Sequence, residues 1–306
     1  MAALPQIGWI GAGRMGVPMA GFLLQAGYPL RVYSRTAASR QKLLARGAAE
    51  AQSVADCARG ADIVFASVSD DAALRDIALG PGGVLANLRP GAVFAETSTV
   101  SAEASEQVAQ EAARRGIAYL RMPISGNAAQ ALKGDLTVFV SGPQEAWDRV
   151  KPVCERFSRA QIYLGAGEQA RVMKLVVNAL VYAFAQAMAE ALTLGRKAGL
   201  DWNAMLDALA QSALASPWLK VKAELMKRRD FTPTMTAPLV LKDIDLMLAC
   251  ARSQQVAMPL TALTRQLMQM LVGEGLGDED YMAAIKLAEK QAGLPTDRVD
   301  RAEQRA

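Results

Sequence analysis

Near its start the chain runs Ile7-Gly8-Trp9-Ile10, four uncharged residues, straight into Gly11-Ala12-Gly13-Arg14-Met15-Gly16. No other stretch constrains the fold as tightly. A buried strand, a glycine turn and a helix start in that order make the first βα unit of a parallel sheet. The helix start leaves backbone N–H groups at a positive end, aimed at whatever anion sits there. In this spacing Gly11 allows the tight turn, Gly13 lets the backbone approach a pyrophosphate, and Gly16 lets helix and strand pack closely. A lone GxGxxG is weak, because glycine turns are common. One that opens a strand–turn–helix unit reads as a dinucleotide site.

The alternation continues through the first half. Strands are expected at 6–10, 29–33, 62–68, 92–96, 116–121, 136–140 and 161–164, with amphipathic stretches such as 102–115 between them. That pattern implies an α/β domain of Rossmann type, a mostly parallel sheet with helices on both faces. From Glu168 onward the strand signals stop, and helices are expected at 168–197, 202–210, 219–228, 239–253, 260–272 and 280–291. Pro217, Pro233, Pro238, Pro259 and the Gly273/Gly275/Gly277 cluster punctuate them. The expected division is a nucleotide-binding domain over 1–165, an all-α domain over 166–294 entered through a long helix, and a frayed tail over 295–306.

The chain has no histidine, which removes Ser-His-Asp and Cys-His activation, His-ligated metals, and any dehydrogenase whose proton donor is His. Proton transfer then falls to Lys, Asp, Glu, Tyr or Cys. Cys57, Cys154 and Cys250 are far apart and form no CxxC, so neither a disulfide framework nor a thiolate metal site is indicated, and a reducing cytoplasm is the expected compartment. The net charge of +4 comes without a basic run, which gives no nucleic-acid face. Met1–Gln6 has no basic n-region. The longest uncharged apolar stretch, 175–189, is too short for a membrane span and contains Asn178 and Gln186, so it reads as a buried helix.

Three further features carry chemistry. In NAD-binding units an acidic residue some twenty positions after the last glycine takes the ribose 2′-hydroxyl. Here that place holds Ser34-Arg35-Thr36. No carboxylate repels a 2′-phosphate, and an arginine fork with two hydroxyls suits a phosphate monoester. NADP(H) is therefore expected over NAD(H), although Arg35 could also merely cover the adenine. Second, Pro123-Ile124-Ser125-Gly126-Asn127 follows a strand and leads into a helix, so its N–H groups and the Ser125 hydroxyl either bind a carboxylate or cap the helix. Thr97-Ser98-Thr99 has the same two readings, facing a nicotinamide or capping a helix that begins near Ser101. Third, Lys174 and Asn178 share a face of the long helix. An ammonium before an apolar run is costly unless it lines a cleft. Lys242-Asp243, taken alone, reads as a surface charge pair.

In this order the pieces resemble the β-hydroxyacid dehydrogenase family, through 11–19, Ser34-Arg35-Thr36, Thr97-Ser98-Thr99-Val100, Pro123-Ile124-Ser125-Gly126, the Gly165/Gly167/Lys174/Asn178 spacing and Leu241-Lys242-Asp243. The resemblance implies a Rossmann-type domain, a helical domain and an active site in the cleft between them. It implies Lys174 as proton donor and acceptor, with Ser125, Gly126 and Asn178 holding a small carboxylate substrate and Lys242 lining the cleft near cofactor and substrate; Asn127 would narrow the pocket or bond an extra substrate group. The cofactor would meet Gly11, Ala12, Gly13, Arg14, Met15, Gly16, Ser34, Arg35, Thr36, Val68, Ser69, Thr99 and Lys242, and the assembly would be a homodimer or tetramer without membrane or metal. An imine reductase and a non-catalytic nucleotide-binding protein share the architecture; Lys174 argues against the first, and Lys174, Asn178 and Lys242 together against the second. Two positions depart from the family pattern: Arg121 replaces an acidic residue, and Asn127 replaces the second glycine of Ser-Gly-Gly.

Overall fold

The computed structural model describes residues 3–296, so residues 297–306 of the expected tail lie outside the described residues. Two compact units divide inside one helix, the first ending at Val177 and the second beginning at Asn178.

The first unit opens β1 Ile7–Ile10, α1 Gly16–Gln25, β2 Leu30–Tyr33, α2 Ala37–Leu44, β3 Ala49–Glu50, α3 Val54–Ala58 and β4 Ile63–Ala66. It continues α4 Asp71–Leu79, α5 Val84–Asn87, β5 Val93–Glu96, α6 Ala102–Arg114, β6 Ala118–Arg121, β7 Ile124–Ser125 and α7 Ala128–Ala131. β8 Leu136–Val140, α8 Gln144–Cys154, β9 Ser158–Tyr163 and α9 Gln169–Lys197 follow. Six strands form one sheet in the order β3-β2-β1-β4-β5-β6, every pair parallel. The strands read as continuous apolar runs because both faces are covered. Trp9, Phe65, Ala95 and Leu120 point to one core and Ile10, Val64, Phe94 and Tyr119 to the other, the period-two alternation of a pleated sheet. Trp9 stacks on Phe65 with ring centroids 5.2 Å apart, and Phe157 meets both edge-on.

The later strands do not extend this sheet. β7, β8 and β9 make a separate three-stranded sheet, in which β8 runs antiparallel to β7 and parallel to β9. Pro123 has no N–H with which to prolong the β6 ladder, and the chain turns there. An isolated bridge between Arg121 and Ser141 leads from one sheet toward the other.

The second unit is helical: α10 Trp202–Gln211, α11 Pro217–Lys227, α12 Ala237–Ser253, α13 Pro259–Gly273, a 3-10 turn Tyr281–Ala283 and α14 Ala284–Gln291. Prolines that read as punctuation sit inside the first turns of α11, α12 and α13, where a missing N–H is harmless.

Helix α9 corrects one expectation. By length and composition alone it could cross a membrane, yet Arg171 and Asn178 along it are buried on internal partners. Nor is it buried all round, because Val172, Val176, Leu180 and Leu194 are 41%, 47%, 70% and 72% exposed. With the exposed Ala187 and Ala191 they form one largely apolar stripe, interrupted by the exposed Glu190.

Candidate active site

The loops after β1, β2, β4 and β5 all leave the carboxyl edge of the six-stranded sheet, where open parallel sheets bind ligands. Gly11 has φ +93°, and a Cβ there would lie 2.1 Å from the Ser67 carbonyl oxygen. At Gly16 a Cβ would lie 2.0 Å from the Gly11 carbonyl oxygen. Both glycines are demanded by the protein's own backbone. Gly13 is not: a Cβ built there meets nothing within 4 Å, and the residue is exposed. Its missing side chain leaves open space in front of α1, which fits a pyrophosphate lying against the turn. Ala12 is buried beneath this turn, while Arg14 is exposed and Met15 N-caps α1.

After β2, Ser34 is half-buried and Arg35 and Thr36 are exposed. Thr36 is the N-cap residue of α2, yet its hydroxyl makes no capping bond. Arg40, from α2, donates to the Ser34 carbonyl and pairs with Glu50 at 3.0 Å. Sequence reasoning missed this second cation, which a helix turn brings back to the strand end.

The two readings of Thr97-Ser98-Thr99 are resolved for the first two hydroxyls. Thr97 Oγ1 donates to the Ala66 carbonyl at 2.8 Å, and Ser98 Oγ accepts the Val68 N–H at 2.7 Å. They tie the β4 and β5 loops together. The α6 cap is Ser101, whose Oγ accepts the Ala104 N–H at 3.0 Å. Thr99 is half-buried. Ser69 donates to Asp70, the N-cap of α4.

At Ser125-Gly126-Asn127 the capping residue is Asn127, not Ser125. Its Oδ1 accepts the Gln130 N–H at 3.0 Å, and Gln130 Oε1 accepts the Asn127 N–H in return, a capping box. Ser125 lies in β7, half-buried, opposite Thr137. Gly126 has φ +140°, and a Cβ would come within 2.6 Å of Leu136 Cδ2.

A buried ionic network underlies these loops. Arg171, 2% exposed in the first turn of α9, is paired with Glu96, 0% exposed at the end of β5. It also donates to the Ser98 carbonyl at 2.7 Å, the Tyr119 hydroxyl at 3.0 Å and Ser105 Oγ at 3.3 Å. Glu96 Oε1 accepts the Ser98 N–H at 2.6 Å. Burial disfavours the Arg171 cation, but Glu96, Tyr119 and Glu168 outweigh it and raise its pKa. Burial pushes the Tyr119 phenol up to about 12, so it stays neutral while accepting from Arg171. Arg121, where the family pattern has an acid, is 5% exposed; its Nε donates to Glu168 at 2.6 Å, and its guanidinium lies 4.8 Å from the Tyr119 ring centroid. The reversed charge has found its own acid.

Lys174 follows Arg171 by one turn and is half-buried. Another turn on, Asn178 is 6% exposed, and its Nδ2 donates to Asp243 Oδ2 at 2.9 Å and to the Tyr182 hydroxyl at 3.1 Å. Tyr182 donates to the same Asp243 oxygen at 2.9 Å. Lys242 Nζ lies 2.9 Å from Asp243 Oδ1. Lys242-Asp243 is therefore no surface pair: Asp243 is 2% exposed and anchors Asn178, Tyr182 and Lys242 at once. Burial and then Asp243 push the Tyr182 phenol well above its ordinary value, so Tyr182 remains protonated. Among the described residues no cluster of His, Cys, Asp or Glu could hold a metal ion.

The chain is similar to known proteins over most of its length. The family model described as the NAD-binding domain of 6-phosphogluconate dehydrogenase matches residues 6–165. The model described as the NAD-binding of NADP-dependent 3-hydroxyisobutyrate dehydrogenase matches residues 165–288. The chain is 30% identical to an NAD-dependent L-serine dehydrogenase of Pseudomonas aeruginosa, covering 95% of this chain and 100% of that protein. It is 31% identical to a 2-(hydroxymethyl)glutarate dehydrogenase of Eubacterium barkeri, covering 94% and 96%. A crystal structure of 3-hydroxyisobutyrate dehydrogenase from Salmonella typhimurium superposes with a TM-score of 0.83 at 26% identity, covering 92% of this chain and 99% of that one.

Proposed function

This chain belongs to the β-hydroxyacid dehydrogenase family of NAD(P)-dependent oxidoreductases, and from that premise we propose that it interconverts a small β-hydroxyacid and its semialdehyde or oxo form, with NADP(H) as the preferred cofactor and Lys174 as general acid and base. The observation that carries the reading is the run of Arg171, Lys174 and Asn178 on successive turns of α9, two of them locked by buried partners and the lysine between them half-buried.

Gly11 to Gly16, Val68, Ser69 and Thr99 would hold the cofactor, and Lys242 would reach it or the substrate. Bound there, a nicotinamide supplies a hydride to the carbonyl carbon. In reduction, Lys174 gives a proton to the oxygen that turns into an alkoxide, and its ammonium charge stabilises that oxygen before transfer is complete. In oxidation, neutral Lys174 takes the hydroxyl proton. Ser125 and the N–H groups around Gly126 hold the substrate carboxylate, and Asn178, whose amide hydrogens are taken by Asp243 and Tyr182, offers its Oδ1 to a substrate hydroxyl. At Asn127 the cap occupies Oδ1, so the amide nitrogen is the atom that meets a substrate group. The test is a spectrophotometric screen of NADPH oxidation against small semialdehydes and 2-oxo acids. No turnover with any of them, alongside turnover of cyclic imines, would overturn the reading.

The preference for NADP(H) rests on exposed Arg35 and half-buried Ser34 at the end of β2. An arginine–phosphate contact contributes charge-assisted hydrogen bonds of about 1.5–3 kcal/mol each. Arg35→Ala is therefore expected to weaken NADPH binding roughly ten- to a hundredfold and to leave NADH binding nearly unchanged. Equal losses in fluorescence titrations would refute the preference.

The apolar stripe on α9 supports a homo-oligomer, since a run this long is usually covered. Light scattering at micromolar concentration is expected to give a dimer or tetramer, and Leu180→Glu with Leu194→Glu to give smaller species. A monomeric wild type would sink this expectation. The free thiols of Cys57, Cys154 and Cys250 suit a reducing cytoplasm.

A further inference from the structure

We propose that Arg171 is a positioning residue: its guanidinium fastens the first turn of α9, and with it Lys174, to the loop 97–99 that follows β5. The inference rests on the assignment of Lys174 as the proton donor.

Three observations carry it. The first is reach. Arg171 Nη1 donates to the backbone carbonyl of Ser98 at 2.7 Å, and the Ser98 hydroxyl in turn accepts the Val68 N–H at 2.7 Å. One side chain on the helix of the proton donor thus holds the backbone of the β5 loop, which holds the β4 loop. The second is completeness. Glu96 receives both Arg171 and the Ser98 N–H, and the Tyr119 hydroxyl and Ser105 Oγ take the remaining guanidinium edges. Every bond reaches a different neighbour, so the planar fork fixes the helix along its axis and around it. The third is charge. Glu168 stands 3.9 Å from Arg171 and is hydrogen-bonded to Arg121, and Glu106 stands 3.8 Å from Arg121, so each guanidinium faces two carboxylates. Carboxylates on more than one side fix where each guanidinium lies.

The fork and the charge can be separated experimentally. Arg171→Lys keeps a cation for Glu96 but cannot reach four neighbours at once; Arg171→Met removes both. With NADPH and succinic semialdehyde as the probe pair, or whichever semialdehyde the wild type turns over, Arg171→Lys is expected to lower kcat about ten- to a hundredfold. KM and the NADPH dissociation constant should stay within about threefold, because misplacement of the donor acts on the chemical step. Amide exchange should quicken in the same variant at 97–99 and 169–177 together. Arg171→Met should lose more activity and also melt lower, and Arg171→Lys should recover part of both.

Wild-type kcat in Arg171→Lys would overturn the proposal, as would faster exchange in one segment without the other. A loss in kcat that tracks the melting temperature and vanishes on cooling would overturn it too, leaving a structural role alone. Lys174→Met is assayed in parallel. Full activity there removes the assignment of the proton donor, whereas the paired exchange result reports on the fastening by itself.

Discussion

Lys174→Met is expected to lower turnover about a thousandfold, since general acid catalysis contributes roughly 10²–10⁴ and stabilisation of the alkoxide adds to it. No histidine is present to take over. Cys57 and Cys154 are buried, and burial raises both thiols. Tyr182 and Tyr119 are held protonated by burial and are occupied by Asp243, Ser105 and Arg171. Methionine keeps much of the lysine stem and removes the charge and the proton. NADPH affinity should change little, because the residues that would hold the cofactor's phosphates lie on the loops of the parallel sheet. Stopped-flow or steady-state rates above about a tenth of wild type would be incompatible with a donor contributing that range.

The second large effect is on stability. Asp280 is 2% exposed and accepts five hydrogen bonds from four donors: Lys222 Nζ on both oxygens at 2.8 and 2.9 Å, the Thr234 N–H at 2.9 Å, its hydroxyl at 2.6 Å and the Met282 N–H at 3.1 Å. Lys222, itself 3% exposed, also lies 4.6 Å from the Tyr281 ring centroid. Asp280→Asn leaves that ammonium buried without its counter-charge, which costs about 3–5 kcal/mol in comparable sites. The helical unit should then melt roughly 6–20 °C lower. Burial already lowers the Lys222 pKa, with Asp280 opposing it. In the variant nothing opposes it, so the unfolded chain binds more protons than the folded one between the depressed folded value and the ordinary lysine value. Stability rises with pH wherever that holds. The melting deficit should therefore shrink as the pH is raised toward that ordinary value, and a deficit within about 2 °C at neutral pH would contradict the account.

Local features were legible in the sequence and distant partnerships were not. The Gly11/Gly13/Gly16 spacing reports a turn made by adjacent residues, and the apolar runs at β1, β4 and β5 report strands covered on both faces. Edges gave weaker signals: β3 and β7 have two residues each, too few for any periodicity. Pro217 and Pro259 open α11 and α13, whereas the sequence reading starts those helices after them, at 219 and 260, because a proline in a first turn and a proline in a loop look alike. The site was half visible. Lys174 and Asn178 could be paired because four residues is a helical spacing. Arg171 could not be understood, since its partners Tyr119, Ser105, Ser98 and Glu96 lie 52, 66, 73 and 75 residues away. Arg121 stood out only as a departure, and Glu168 supplies its reason. Lys242-Asp243 read as a surface pair because a sequence does not show what faces a helix, and Asn178 and Tyr182 face Asp243.

The buried pairing of Glu96 with Arg171 also bears on modularity. Every strand of both sheets is complete by Tyr163, so the nucleotide-binding half looks separable at the turn before α9. Cut there, Glu96, buried in the intact chain, would lose the cation that compensates its charge. Grafted onto another protein, or recombined with a relative's helical half, this sheet has to travel with the opening turns of α9. The unit that can be exchanged is longer than its strands suggest, and Arg171 sets its edge.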